Sequence, residues 1–261
     1  LKQYWSARER AFARWRALQH MQDENAGPGL ESMVTNDART MFNMAVFLSS
    51  SIPPKRTVNI GGQGTRQERK AGQSERAVES WWAAQDELRL RSGLEPFREE
   101  LAYWLCLYGG YAVMYGMDTK GVPFAKPLNP AYAYPQYAEG LQRFIYSYPT
   151  TLAEARLIAN KYGMEIKGRD DLQKVEVAEW WHRDDGYCHH AIVASGVGRG
   201  WVFLAEPEEI AVENIPVLCG PVAGSPSRTP DAQEEAGSVY YENERVYKDF
   251  NRWLSFLMRL S

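Results

Sequence analysis

The chain is poor in cysteine and carries little excess charge of either sign. Its 261 residues include three cysteines, Cys106, Cys188 and Cys219. They are odd in number, far apart and outside any C-x-x-C pair, which excludes a disulfide framework and predicts free, buried thiols in a reducing compartment. Thirty Lys and Arg stand against 33 Asp and Glu. That balance excludes a protein that grips DNA through a broad basic face, because such binding draws on neutralisation of phosphates. The longest uncharged stretch, Leu101 to Met117, is interrupted by Gly109, Gly110 and Gly116 and falls short of the ~20 apolar residues a membrane-spanning helix needs. The first residues, Lys2 to Arg16, are charged and amphipathic and do not read as a secretory leader. A chain that starts at Leu1 and stops in an apolar run at Ser261 is expected to be cut from a longer polypeptide.

Catalytic and nucleotide signatures are missing too. Gly61-Gly62-Gln63-Gly64 lacks the third glycine of a dinucleotide fingerprint, Gln67 standing in its place, and no G-K-[ST] follows. Ser195 has Val193 where a nucleophile elbow requires glycine. His182, Cys188, His189 and His190, with Asp184 and Asp185 between them, form the one dense group of metal-type ligands. On a hairpin His189 and His190 point to opposite faces, so one ion does not suit both. No catalytic, cofactor or metal residue is assigned, and a non-enzymatic role is expected. A metal-dependent enzyme using the hairpin histidines is one alternative. A single-stranded nucleic-acid binder stacking bases on some of the nine Trp and fifteen Tyr is another.

What is present is an ordered series of periodic segments. Residues from about 3 to 22 place Tyr4, Ala7, Ala11, Trp15 and Leu18 at helical spacing, with Lys2, Arg8, Arg10, Arg14 and Arg16 read as a solvated basic face or a contact for an acidic partner. Thr35-Asn36-Asp37 offers caps for a helix whose Met41, Met44, Ala45 and Leu48 read as core, with Pro53-Pro54 as its end. Two more helices follow, one carrying Trp81 and Trp82 and closed by Gly93, the other running from Leu94 to Tyr108 and stopped by Gly109-Gly110. Trp81, Trp82, Trp104 and Trp253 sit on helix stripes, as core or subunit-interface residues do.

The period then changes to that of strands. Tyr111, Val113 and Tyr115 alternate before an Asp118–Gly121 turn, Leu141 to Tyr148 is extended, and Thr151-Leu152-Ala153-Glu154 reads as a capping box. Val175 to Trp180 and Cys188 to Val193 form a hairpin about Asp184-Asp185-Gly186. Gly200–Leu204 and Ile215–Leu218 complete a small antiparallel sheet, Gly220 to Ser238 is a loop, and Val239 to Ser261 is a long amphipathic helix. The fold class expected is α+β: a helical N-terminal half, a small antiparallel sheet and hairpin region, and a long C-terminal helix.

The order of features resembles one family. Asn36-Asp37-Ala38-Arg39 opens an apolar helix, and Leu105-Cys106-Leu107-Tyr108-Gly109-Gly110-Tyr111-Ala112 carries a helix through a glycine bend into a strand. Pro127-Leu128-Asn129-Pro130 is followed by Tyr132 and Pro135, then by the strand Val175-Glu176-Val177-Ala178-Glu179-Trp180-Trp181, by Ile215-Pro216-Val217, and by a helix with Asn251 and Ser255. This pattern is similar to the N-terminal half of tailed-bacteriophage portal proteins. The resemblance implies a wing-like α+β domain over 1–235 and the start of a stem helix over 236–261, with clip, second stem helix, tunnel loop and crown outside this chain. It implies a structural subunit that forms a homo-oligomeric ring, a dodecamer in the family, at one capsid vertex. Double-stranded DNA would pass through without tight binding during packaging and ejection. The partners implied are the major capsid protein, the terminase and the head-to-tail connector or adaptor, with no membrane and no cofactor. The location implied is the virion, and the host cytoplasm during assembly. Glu242, Glu244, Lys248, Arg252 and Arg259 are the candidates for channel or subunit contacts. Charge suits a conduit: 15 basic and 13 acidic residues lie in 1–100, against 15 and 20 in 101–261.

Overall fold

Helix α1 (Ser6–Gln19) shows how the sequence builds the helical layer. Residues Arg8, Ala11, Phe12, Trp15, Leu18 and Gln19 recur at steps of three and four and are all buried. The computed structural model describes residues 3, 5–22, 34–51, 57, 65–118, 120–168, 170–184, 186–197, 200–221 and 237–258, with backbone alone at 65–67, 221 and 256–258. Expectations for Tyr4, the glycine loop 61–64, Pro53-Pro54 and the loop residues 222–236 lie outside the described residues.

After α1 come α2 (Asp37–Ser51), α3 (Thr65–Arg91), α4 (Phe97–Tyr108), β1 (Gly110–Met117), β2 (Pro123–Leu128), a 3-10 turn (Pro130–Tyr132), β3 (Ala133–Ala138), β4 (Gly140–Thr151) and α5 (Leu152–Lys161). The hairpin β5 (Lys174–Asp184) and β6 (Tyr187–Ser195) follows, then β7 (Trp201–Ile210), β8 (Val217–Pro221) and α6 (Glu244–Met258). The class is α+β. The strands make not one small sheet but two antiparallel ones, ordered β2-β1-β8 and β3-β4-β5-β6-β7. The Ile215–Leu218 segment therefore pairs with β1, across Val113↔Leu218 and Met114↔Val217, rather than joining the hairpin. The long C-terminal helix is also corrected: residues 239–243 form turns, and α6 spans 15 residues, far fewer than the 27 of α3.

Both expected bends have local causes. Gly109 ends α4 in the left-handed region at φ 61°, where a side chain would be strained, and its N–H donates to the Leu105 carbonyl. Asn129 caps the 3-10 turn by accepting from the Ala131 N–H at 2.9 Å, which swings the chain from one sheet into the other. The capping box forms only in half: the Thr151 hydroxyl accepts from the Glu154 N–H at 3.3 Å, while the Glu154 carboxylate takes the Thr150 hydroxyl instead.

Three apolar clusters hold these pieces. One packs α1, α2 and α4 through Trp15, Phe42, Leu107 and Tyr108, together with Tyr240. A second seats α5 on one face of the large sheet through Leu152, Ala155, Val175, Val177 and Ala194. A third fills the space between the sheets with Ala112, Leu128, Phe144, Trp181, Cys188 and Val217. Cys106 and Cys188 are buried free thiols, whereas Cys219 is only half-buried.

Of the basic residues read as a solvated face, Arg10 is exposed and Lys2 lies outside the described residues, but Arg14 pairs with Glu244 and Arg8 and Arg16 are structural. Arg8 is 2% exposed, lies with its guanidinium 4.4 Å from the Trp5 ring, and donates to the Ala133 carbonyl at 2.7 Å. Trp5 Nε1 donates to the Pro135 carbonyl, so two side chains cover carbonyls of β3, an edge strand of the large sheet. Arg16 donates twice to the Tyr108 hydroxyl, at 3.2 and 2.9 Å. The α2 expectation is corrected as well. Met41, Met44 and Leu48 are 52–55% exposed, Ala45 packs partly buried against the core as expected, and it is Ala38 and Phe42 that enter it.

Burial raises the pKa of the Tyr103, Tyr108, Tyr134, Tyr146, Tyr148 and Tyr240 phenols, and the Tyr134 hydrogen bond to Glu9 adds to the effect. Unfolded tyrosines ionise near pH 10, so their stabilisation is complete below that pH and is lost as pH rises through the higher folded values. Arg8 has the opposite sign, since burial lowers its pKa to about 10, but six phenols outweigh one guanidinium. Melting followed by circular dichroism should give a constant Tm up to about pH 9 and a falling one by about pH 11. A constant Tm across that interval contradicts the assignment.

Candidate functional site

Residues 237–243 position the element on which the candidate residues sit. Ser238 and Tyr240 are buried, the Val239 N–H donates to the Cys106 carbonyl at 3.0 Å, and the Ser238 hydroxyl reaches the same oxygen at 3.3 Å. That carbonyl lies in the last turn of α4, where helix carbonyls have no partner along the helix, so the segment caps α4 from outside. Tyr240 stacks on Phe42 with ring centroids 5.7 Å apart, and its hydroxyl donates to the Ala38 carbonyl. Helix α6 starts four residues later in a direction fixed by these contacts.

Of the five candidates, Glu242, Glu244, Lys248 and Arg252 line one open depression of about 410 Å³ together with Tyr241, Arg245 and Asp249. Arg259 lies outside the described residues. Glu244 Oε1 accepts from both Arg14 Nε and Lys248 Nζ at 3.0 Å, tying α6 to α1. Glu244 and Lys248 thus hold α6 on the body, and Arg252 is exposed. A further anchor is Asn251, whose Oδ1 accepts from the Thr35 N–H and hydroxyl at 3.1 Å.

With one side of α6 so fastened, the opposite side faces outward. Val246, Phe250 and Trp253, at steps of four and three, are 62%, 43% and 57% exposed. Arg245, Asp249 and Arg252 flank them. Of the two readings of Trp253, core or subunit interface, this overturns the core one, since the ring stands out from the body.

A second apolar surface lies on the face of the large sheet that α5 does not cover. Alternation places Tyr134, Ile145, Trp180 and Ala191 in one row across β3–β6, and Ser147, Ala178, Val193 and Phe203 in the next across β4–β7. Small residues make the floor and aromatic rings the walls of an apolar groove of about 640 Å³. Trp201 and Phe203 on the edge strand β7 are 54% and 45% exposed, and Glu206, Glu208 and Glu209 are exposed beside them. Pro207 and these charges protect that edge from pairing.

The hairpin histidines divide as alternation requires. His190 is buried against Trp181, with ring centroids 4.1 Å apart, and its Nε2 lies 3.0 Å from Glu179 Oε1. His182 and His189 share the other face, their rings 6.4 Å apart, with Arg143 Nε 3.4 Å from His182 Nδ1. Among the described residues no group of three His, Cys, Asp or Glu is placed to hold a metal ion, and no helix is long and apolar enough to cross a membrane. No family model matches the chain, and no curated protein matches its sequence.

Glu244 can be tested as the common carboxylate. Glu244→Gln should cost about 0.5–1 kcal/mol in urea unfolding, because the pair with Arg14 is partly exposed. A double-mutant cycle with Arg14→Gln should show a nonzero coupling energy, and strict additivity would contradict the contact.

Proposed function

We propose that the chain is a ring-forming structural subunit, the portal of a tailed bacteriophage, serving as a conduit for double-stranded DNA and as a platform for the terminase and the head-to-tail connector. The supporting observation is the outward apolar stripe of α6, Val246, Phe250 and Trp253, borne on a helix fastened to a folded α+β body. Contiguous apolar surface of this kind marks a protein interface, because water contact with it is unfavourable. A subunit with two different apolar surfaces repeats head to tail, and a rotation that closes turns such a chain into a ring. The order of helix, glycine bend, strand, Pro127–Pro130 turn, hairpin, Ile215-Pro216-Val217 segment and final helix gives the family resemblance its support.

Charge on α6 is consistent with a wall that DNA passes. Its cations are matched locally, Arg245 Nε lying 3.5 Å from Asp249 and Lys248 Nζ 3.0 Å from Glu244, so few are left to displace counterions from phosphates. Negative-stain microscopy of the purified full-length protein should show rings with a central hole, and light scattering should give a matching mass. A monomer in both measurements overturns the reading. Duplex DNA should bind no more tightly than about 1 µM at physiological salt, the tight end of the non-specific range, and a tighter complex contradicts a sliding conduit.

A further inference from the structure

The two exposed apolar surfaces belong to one chain but do not meet within it. Trp253 on α6 and Trp201 and Phe203 beside the sheet groove are each about half exposed, and the groove and the α6 depression share no lining residue. One surface is a convex helical stripe and the other a concave trough. Helix-in-groove contacts use this pairing, with anchors at steps of three and four entering an apolar groove.

We propose that the groove of one copy receives the α6 stripe of its neighbour, so that Val246, Phe250 and Trp253 of one subunit pack against Trp180, Trp201 and Phe203 of the next. The proposal rests on the ring-forming reading above and names the contact that builds the ring. Dimensions agree: from Val246 to Trp253 the helix rises about 10 Å, and a groove spanning five strands is about 19 Å across. Charge agrees as well. Arg252 is exposed beside the stripe, with Arg245 held 3.5 Å from Asp249 next to it, while Glu206 and Glu209 are exposed along the neighbouring edge of the groove. The other exposed stripe, Met41, Met44, Phe47 and Leu48 on α2, lacks this match, since α2 carries no charge after Arg39. A second copy also satisfies both surfaces at once. In an open head-to-tail chain one groove and one stripe remain bare, and closure covers both.

The test uses the full-length protein and two single variants, Trp253→Glu and Phe203→Glu, followed by sedimentation velocity, with circular dichroism to confirm the wild-type fold. Each change lies at an exposed side chain, and each should raise the concentration needed for assembly at least tenfold. Mixing the two variants gives the sharper result. The intact stripe of Phe203→Glu fits the intact groove of Trp253→Glu, so the mixture should stop at one-to-one heterodimers while each variant alone stays monomeric. The exchange Arg252→Glu with Glu209→Arg should recover assembly lost in either single variant. Rings formed by both glutamate variants at the wild-type concentration overturn this contact and leave the ring reading standing. A wild-type protein that remains monomeric overturns both. If Trp253→Glu or Phe203→Glu proves misfolded, Trp253→Ser and Phe203→Ser replace it under the same criteria.

Discussion

The burial of Tyr240 decides where the C-terminal helix can go. The ring is 1% exposed, stacked on Phe42 of α2, and its hydroxyl is satisfied by the Ala38 carbonyl, while the adjoining Val239 N–H and Ser238 hydroxyl close the end of α4. A phenol placed there without a partner for its hydroxyl would be costly, and so would an exposed end of α4. The chain is therefore pinned just before α6. The Arg14–Glu244 pair and the Asn251 contacts with Thr35 then fix the rotation of α6 about its axis. Once that rotation is set, Val246, Phe250 and Trp253 cannot turn inward. The exposed stripe is thus a consequence of how the body packs.

Much of the fold was legible where one physical signal dominated. The α1 stripe of Ala11, Trp15 and Leu18 was, and so were the Gly109 bend, the β5–β6 hairpin and the Thr151 cap. Helix α2 shows where periodicity fails: it carries apolar residues on two sides, Ala38 and Phe42 on one and Met41, Met44 and Leu48 on the other, and hydrophobicity alone does not choose between them. The arginines of α1 mislead in another way. A charge reads as solvated until a ring such as Trp5 and a strand carbonyl such as that of Ala133 are there to receive it; Trp5 is close in sequence at the N-cap of α1, but Ala133 lies 125 positions away. The start of α6 was placed too early because Tyr240 and Tyr241 continue an apolar pattern through what is a turn. Pro135 hid β3, and the pairing of β8 with β1 joins residues about a hundred positions apart, beyond any local pattern.

The candidate site was half legible. Four of the five charged candidates near the last helix do gather around one depression, yet two of them, Glu244 and Lys248, are engaged in holding the helix in place. The groove was not read at all, because four strands and the start of β3 contribute to it and none carries more than two of its large side chains. Its signal was present as pairs two residues apart, Ala178 with Trp180, Ala191 with Val193, and Trp201 with Phe203. Such pairs become informative only when the register aligns them.

Together these features describe a chain whose fold exposes apolar faces on α2, α6 and the large sheet, with Arg252 exposed beside the α6 stripe and Glu206 and Glu209 beside the sheet groove. The proposed ring is one in which the α6 and sheet faces cover each other between neighbours. Hydroxyl-radical footprinting read by mass spectrometry tests this most directly, comparing the assembled full-length protein with its dissociated subunits. The account predicts that Trp253 and Trp201 are both protected in the assembly and both reactive when it is dissociated. Equal reactivity of the two tryptophans in both states would contradict it.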